Sequence, residues 1–270
     1  MKASSPLTLL TAATLLCFAS ASSYGTLILS ESFDYSPIGG SIAGNGGSVD
    51  GFTGAWTTPG DSGLIAAGLT DPLIAGGASG NAWRDDAGST NYTDERTFDD
   101  TELWNGDGEA WFAFLIDVDT QTFTTNIIFG TVTGSNDAGF GVRIDSGGLE
   151  AQVAGKDSGM INLTNPSGTR LVLGRLTFFD NNTDDIVDIW VDPTDVSSVA
   201  ALGAPLATDA ENIVAADQGS ILRINGDNGP VFTIDEIRLG TELSDVVIPE
   251  PASLALLGMG GLLMLRRQAR

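Results

Sequence analysis

The chain has 270 residues, a net charge of −23, no histidine and one cysteine, Cys17. Without histidine, and with no cysteine beyond Cys17, it cannot build a Ser-His-Asp triad, a Cys-His pair or a conventional zinc site. So strong a negative field repels nucleic acid and anionic lipid surfaces, and no G-x-x-x-x-G-K-[ST] or G-x-G-x-x-G turn stands in a strand-to-helix setting to hold a nucleotide.

The first 21 residues read as a secretory signal peptide. Lys2 supplies a weak basic start, residues 7–18 an apolar stretch, and Ala19-Ser20-Ala21 a small-residue cleavage site, so the exported chain begins near Ser22. Thr14-Leu15-Leu16 lacks the small residue that normally precedes a lipidated cysteine, which argues against a lipid anchor on Cys17. From Ser22 to Ile248, one lysine (Lys156) and seven arginines face 34 acidic residues, a net charge of −26. These 227 residues suffice for one large β domain, and with no disulfide its stability rests on burial, backbone hydrogen bonds and ions.

The body, residues 22–246, predicts an all-β, two-sheet antiparallel sandwich. Segments rich in Val, Ile, Phe, Thr and Trp recur between Gly, Asn, Asp and Ser clusters, and none carries a helical period. In chain order, residues 26–33 form a first strand. Residues 39–80, rich in Gly, Ser and Ala, form long loops between short edge strands. WFAFLIDV (111–118) is apolar on both faces and predicts a central strand covered twice. A strand at 126–131 precedes a hairpin at 139–154, where Phe140, Val142 and Ile144 alternate with Gly141 and Arg143. After the turn Ser146-Gly147-Gly148, Leu149, Ala151 and Val153 alternate with Glu150 and Gln152. Strands at 171–179 and 186–191 follow, the latter with Val187, Ile189 and Val191 on one side and Asp188 and Trp190 on the other. The last two run over 221–224 and 231–239. In the final one Phe232 and Ile234 share one phase and Ile237 and Leu239 the other, so a bulge near Asp235-Glu236 is needed to bury all four.

The chain closes with VIPEP, an apolar run at 252–265, and the basic residues Arg266, Arg267 and Arg270. Fourteen residues make a helix of about 21 Å, short for a hydrocarbon core of about 30 Å. The arginines would keep that end cytoplasmic and leave the body on the far side. Pro249, Glu250 and Pro251, the glycines Gly258, Gly260 and Gly261, and Arg266-Arg267 together resemble the PEP-CTERM sorting signal of Gram-negative, exopolysaccharide-producing bacteria. The resemblance implies that residues 247–270 are recognised and removed by an exosortase near the Pro-Glu-Pro motif. The membrane would then hold the protein only transiently before its release to the cell surface or extracellular matrix.

TRLVLGRLTFFDNNTDDIVDIWVDP (169–193), FTIDEIRLGTELSDV (232–246) and ESFDY (31–35) resemble laminin-G-like, concanavalin A-like jelly-roll domains. That resemblance implies a jelly-roll fold, sugar binding on one sheet face and a calcium ion. The E-x-D-x-x-E signature of the glycanase branch is missing, so the expectation is a non-enzymatic glycan-binding or structural component associated with polysaccharide. The alternative is a carboxylate-dependent glycan hydrolase or lyase, for which Asp235 and Glu236 are the pair to consider; local pairing with Arg238 at a bulge is the plainer account of them.

Three loops have the Asn, Asp and Gly composition of calcium sites: Asn105, Asp107 and Glu109; Asn181, Asp184 and Asp185; and Asn225 and Asp227. The same residues are what turns prefer. For stacking on sugar rings, Trp56, Trp83 and Trp104 stand in polar, loop-like surroundings, and Trp190 on the polar phase of its strand. The competing expectation is that each caps an edge of the sandwich.

Overall fold

The computed structural model describes residues 25–247 except 49, 59–62, 75–79, 86–90, 105, 121–123, 134–137, 146–147, 162–167, 181–182 and 228–230; for 91, 119–120, 157–160, 227 and 231 only the backbone is described. Residues 1–24, which include the expected signal peptide, and the residues from 248 onward, Pro249, Glu250, Pro251, Arg266 and Arg267 among them, lie outside the described residues.

The described residues form strands β1 to β16 and one helical turn, numbered in chain order, arranged as a two-sheet antiparallel sandwich of the jelly-roll class. The larger sheet runs β14(Ala207–Glu211), β13(Asp185–Val191), β12(Arg170–Phe178), β7(Gly108–Thr120), β16(Val231–Gly240), β5(Asn81–Arg84), β4(Leu64–Ala67), and β1(Leu27–Glu31) also pairs with β16. The smaller runs β11(Lys156–Ile161), β10(Gly148–Val153), β9(Phe140–Asp145), β8(Thr125–Thr131), β15(Ile221–Asp227), β6(Asn91–Thr97). A two-strand ribbon, β2(Gly46–Gly47) with β3(Gly54–Ala55), and the turn α1(Leu243–Val246) complete the fold.

Strand β7 explains the layering. Its side chains alternate, so Phe112, Phe114 and Ile116 enter the core between the sheets while Trp111, Ala113 and Leu115 face outward. The outward set is buried too, beneath Ile74, Val196, Leu243, Val246 and Val247. A strand covered twice is apolar throughout, as expected for 111–118. Gly174 on β12, paired with Phe112 of β7, leaves room for its ring: a Cβ there would sit 2.0 Å from the ring.

The bulge expected in the last strand is present. The register of β16 against β7 shifts between Asp235 and Arg238, Glu236 adopts φ +52°, and Phe232, Ile234, Ile237 and Leu239 all enter one core. At this bulge the opposite edge of β16 changes partner, from β5 at Thr233 and Ile234 to β1 at Ile237 to Gly240.

The sequence did not predict β5, β6, β11 or β14. All four carry polar residues on both phases or are four to seven residues long, so alternation in them is weak.

Candidate functional site

The side chains of the six-stranded sheet that turn away from the core form a polar face. On β8, Ile127 and Phe129 are core residues, so Asn126 and Ile128 point outward; on β15, Leu222 and Ile224 are core, so Arg223 and Asn225 point outward. The strand register lines these residues up in rows. One row reads Thr93, Asn225, Asn126, Arg143, Glu150 across β6, β15, β8, β9 and β10. The next reads Glu95, Arg223, Ile128, Gly141, Gln152. Gly141 contributes no side chain, and a Cβ there would meet the Ile127 carbonyl oxygen at 2.0 Å.

This face is well shielded and its charges are matched in sign. Arg223 forms an ion pair with Glu95, both buried, and Arg143 lies opposite Glu150. Asn225 and Asn126, 8% and 9% exposed, each hold a side-chain oxygen that accepts no hydrogen bond among the described residues. A buried acceptor left unmade costs about 1–3 kcal/mol, which a donor from water or from a ligand would recover. Arg143, Glu150 and Gln152 were visible in the sequence as the polar phase of the hairpin. The sequence places Asn225 in a turn after a strand ending at Ile224, whereas β15 continues to Asp227 and carries Asn225 onto the sheet.

The four candidate tryptophans are elsewhere, and the expectation that they stack on sugars is corrected for three of them. Trp56 and Trp83 are 1% and 0% exposed, and each donates its indole N–H to a buried carboxylate, Trp56 to Glu31 at 2.9 Å and Trp83 to Asp94 at 2.7 Å. Trp190 stacks on Trp111 with ring centroids 6.0 Å apart and donates to the Gly203 carbonyl. Its strand phase is the outer one, as expected, but the 193–206 loop covers it. Trp104 is half-buried, edge-on to Phe140 and Phe178, and donates to the Gly219 carbonyl. Polar sequence neighbours misled here because a buried indole still needs a partner for its N–H.

Two of the three acidic loops come together, because Gly108 on β7 pairs with Phe178 on β12 and Asp107 accepts the Asp180 N–H at 2.6 Å. Asp185 is fully buried and spends its two oxygens on the N–H groups of Phe179 and Ile213, both at 2.7 Å, so it clasps loops rather than facing an ion. Glu109 accepts from Trp111 and Arg175, and Asp184 is exposed. Among the described residues no group of three or more acidic side chains could hold a metal ion. Asn105, Asn181 and the Asp227 side chain lie outside them.

A second polar cluster sits at the β16 bulge. Glu31 accepts from Arg96, from Trp56, from the Tyr35 hydroxyl at 2.8 Å and from the Phe33 N–H at 2.7 Å. Among the described residues Asp235 accepts from two backbone N–H groups, those of Leu69 and Glu236, both at 2.8 Å, and Glu236 pairs with Arg238 at 3.5 Å. Burial pushes the Asp235 carboxyl up to about 7 and raises Glu236 as well, with Glu31 adding repulsion to both. Asp94, buried between Trp83 and the Gly63 N–H, is pushed up to about 6 by desolvation.

No family model matches the chain, and no curated protein matches it. Among solved structures it is similar to the carbohydrate esterase vb_24B_21 from Shiga toxin-encoding bacteriophage phi24B, at 15% identity and TM-score 0.44 over 81% of this chain and all of that one. It is also similar to the T. cruzi calreticulin globular domain, at 12% identity and TM-score 0.43 over 82% and 90% of the two chains. A third is the binding domain of botulinum neurotoxin serotype D, at 10% identity and TM-score 0.44 over 81% of this chain and 49% of that one. This chain thus spans about half of that neurotoxin domain.

Proposed function

We propose that the protein is exported, sorted through residues 247–270 by an exosortase, and works at the cell surface or in the extracellular matrix of a Gram-negative bacterium as a non-enzymatic glycan-binding or structural component. The observation that carries the glycan reading is the outward polar face of the six-stranded sheet, with the unmade acceptors of Asn126 and Asn225 at its middle. Cations and carboxylates are balanced along the two rows, which suits a ligand of neutral hydroxyl groups that both donate and accept. The carboxylate-rich remainder of the surface would repel acidic polymers.

The test is equilibrium binding of the exported protein to a panel of neutral and acidic polysaccharides, with calcium present and then chelated. Saturable binding to a neutral polymer that falls about tenfold or more in Asn126→Ala/Asn225→Ala, the loss of one or two buried hydrogen bonds, supports this site. Binding that is indifferent to both substitutions removes it, and no binding to any polymer leaves the structural role. The raised Asp235 carboxyl is what a general acid would need and keeps the hydrolase or lyase reading in view. Release of reducing ends or unsaturated sugars that is lost in Asp235→Asn would establish it.

A further inference from the structure

The two ends of the described body meet. The Thr26 N–H donates to Thr241 Oγ1 at 2.8 Å, and the Thr241 N–H returns to the Thr26 carbonyl at 3.0 Å. Gly25 lies so close to α1 that a Cβ on it would stand 2.2 Å from Asp245 Oδ2. Val246 and Val247 are core residues, 0% and 1% exposed, packed with Leu243 against Trp111 and Trp190. The folded body therefore holds the chain fast up to Val247, and the apolar segment begins at Ala252.

That leaves five residue steps, at most about 17 Å when fully extended, between a buried side chain and the segment that would enter a bilayer. The headgroup layer on each side takes up about 5–7 Å of this, and Pro249 and Pro251 restrict the rest. A hydrophobic segment shorter than the hydrocarbon core also draws its flanking residues toward the interface. Around this exit the surface carries two exposed apolar side chains. Leu27, 45% exposed, is paired with Gly240, and Val199, 41% exposed, lines a cavity of about 300 Å³ with Thr241, Leu243 and Ser244.

The geometry points to a membrane-facing pole: until the tail is removed, the surface bearing Leu27, Val199, Thr241 and Ser244 rests on a zwitterionic lipid bilayer. Glu109, Glu242 and Asp245 flank this pole, so an anionic bilayer would be repelled from it. The inference rests on the export reading above for the insertion of residues 252–265, and on the fold alone for the short tether and the shared position of the two ends. A cut beyond Val247 keeps the packing of Leu243, Val246 and Val247 and frees the pole.

The test places residues 22–270, which contain no cysteine, in nanodiscs of zwitterionic phospholipid and introduces Leu27→Cys, Val199→Cys or Ile38→Cys singly. Ile38, 65% exposed, lies beside β4 at the other side of the larger sheet and serves as the reference. Thiol labelling at 27 and 199 is expected to be slowed several-fold relative to 38. The rate should recover when a Gly/Ser spacer of about twelve residues, with a coil span of about 20 Å, is inserted before Pro249. Equal labelling at all three positions, or protection that survives the spacer, overturns the membrane-facing pole while leaving export intact. A chain that does not enter the nanodisc overturns both.

Discussion

Glu31 and Asp235 are both buried at the β16 bulge, with different partners. Glu31 has the Arg96 guanidinium, whereas Asp235 has two backbone donors among the described residues, and burial raises its carboxyl to about 7. A carboxyl whose folded value lies above its unfolded value near 4 stabilises the fold below that unfolded value. The contribution is lost as pH rises through the folded value, here about 7 for Asp235 and about 6 for Asp94. The domain is therefore expected to be more stable at pH 5 than at pH 8. Asp235→Asn should reduce that difference by on the order of 2 kcal/mol. The readout is the slope of unfolding free energy against pH, since the amide can match only one of the two N–H donors and will shift the absolute value as well. A slope unchanged by the substitution would place the pH dependence elsewhere.

The helical turn α1 has only four residues, too short to be stable alone, so its place depends on what it covers. Leu243, Val246 and Val247 close the outward side of β7 and β13 over the stacked Trp111 and Trp190. The turn starts from a reciprocal cap, in which the Asp245 carboxylate accepts the Glu242 N–H at 2.9 Å. Ending the chain after Glu242 removes three buried apolar side chains, worth about 5 kcal/mol together, and should lower the melting temperature by roughly 10–20 °C. Ending it after Val247 should leave the melting temperature at that of the longer chain, because Leu243, Val246 and Val247 are all kept. Calorimetry on the two truncations distinguishes a closing element from a dispensable end.

At the scale of the whole molecule the dominant quantity is charge. A body carrying −26 repels itself, and the few cations are committed to local work: Arg96 to Glu31, Arg175 to Asp188 and Glu109, Arg223 to Glu95, Arg238 to Glu236. Added monovalent salt should therefore raise the melting temperature at neutral pH by several degrees, most of it between about 0.01 and 0.15 M, where the screening length falls from about 30 to 8 Å. The gain should shrink at pH 5 as carboxylates lose charge. A melting temperature that falls with salt would mean that the ion pairs outweigh the repulsion.

The sequence alone was enough for the all-β class, the central place of 111–118, the hairpin at 139–154 and the bulge at Asp235-Glu236, because each follows from the period-2 alternation of side chains along one strand. Asp235 and Glu236 also took the local role expected of them, at a bulge with Arg238 close by. Which strands pair, and therefore which polar residues share a face, depends on contacts between residues distant in the chain. Asn126 and Asn225 are 99 positions apart in sequence and adjacent in register. The tryptophans show the same division from the other side. Trp56 and Trp83 read as exposed from their neighbours, yet carboxylates on β1 and β6 receive their indole N–H groups and make burial affordable. Local alternation is written in consecutive residues; pairing partners and satisfied hydrogen bonds come into existence only when the sheets close.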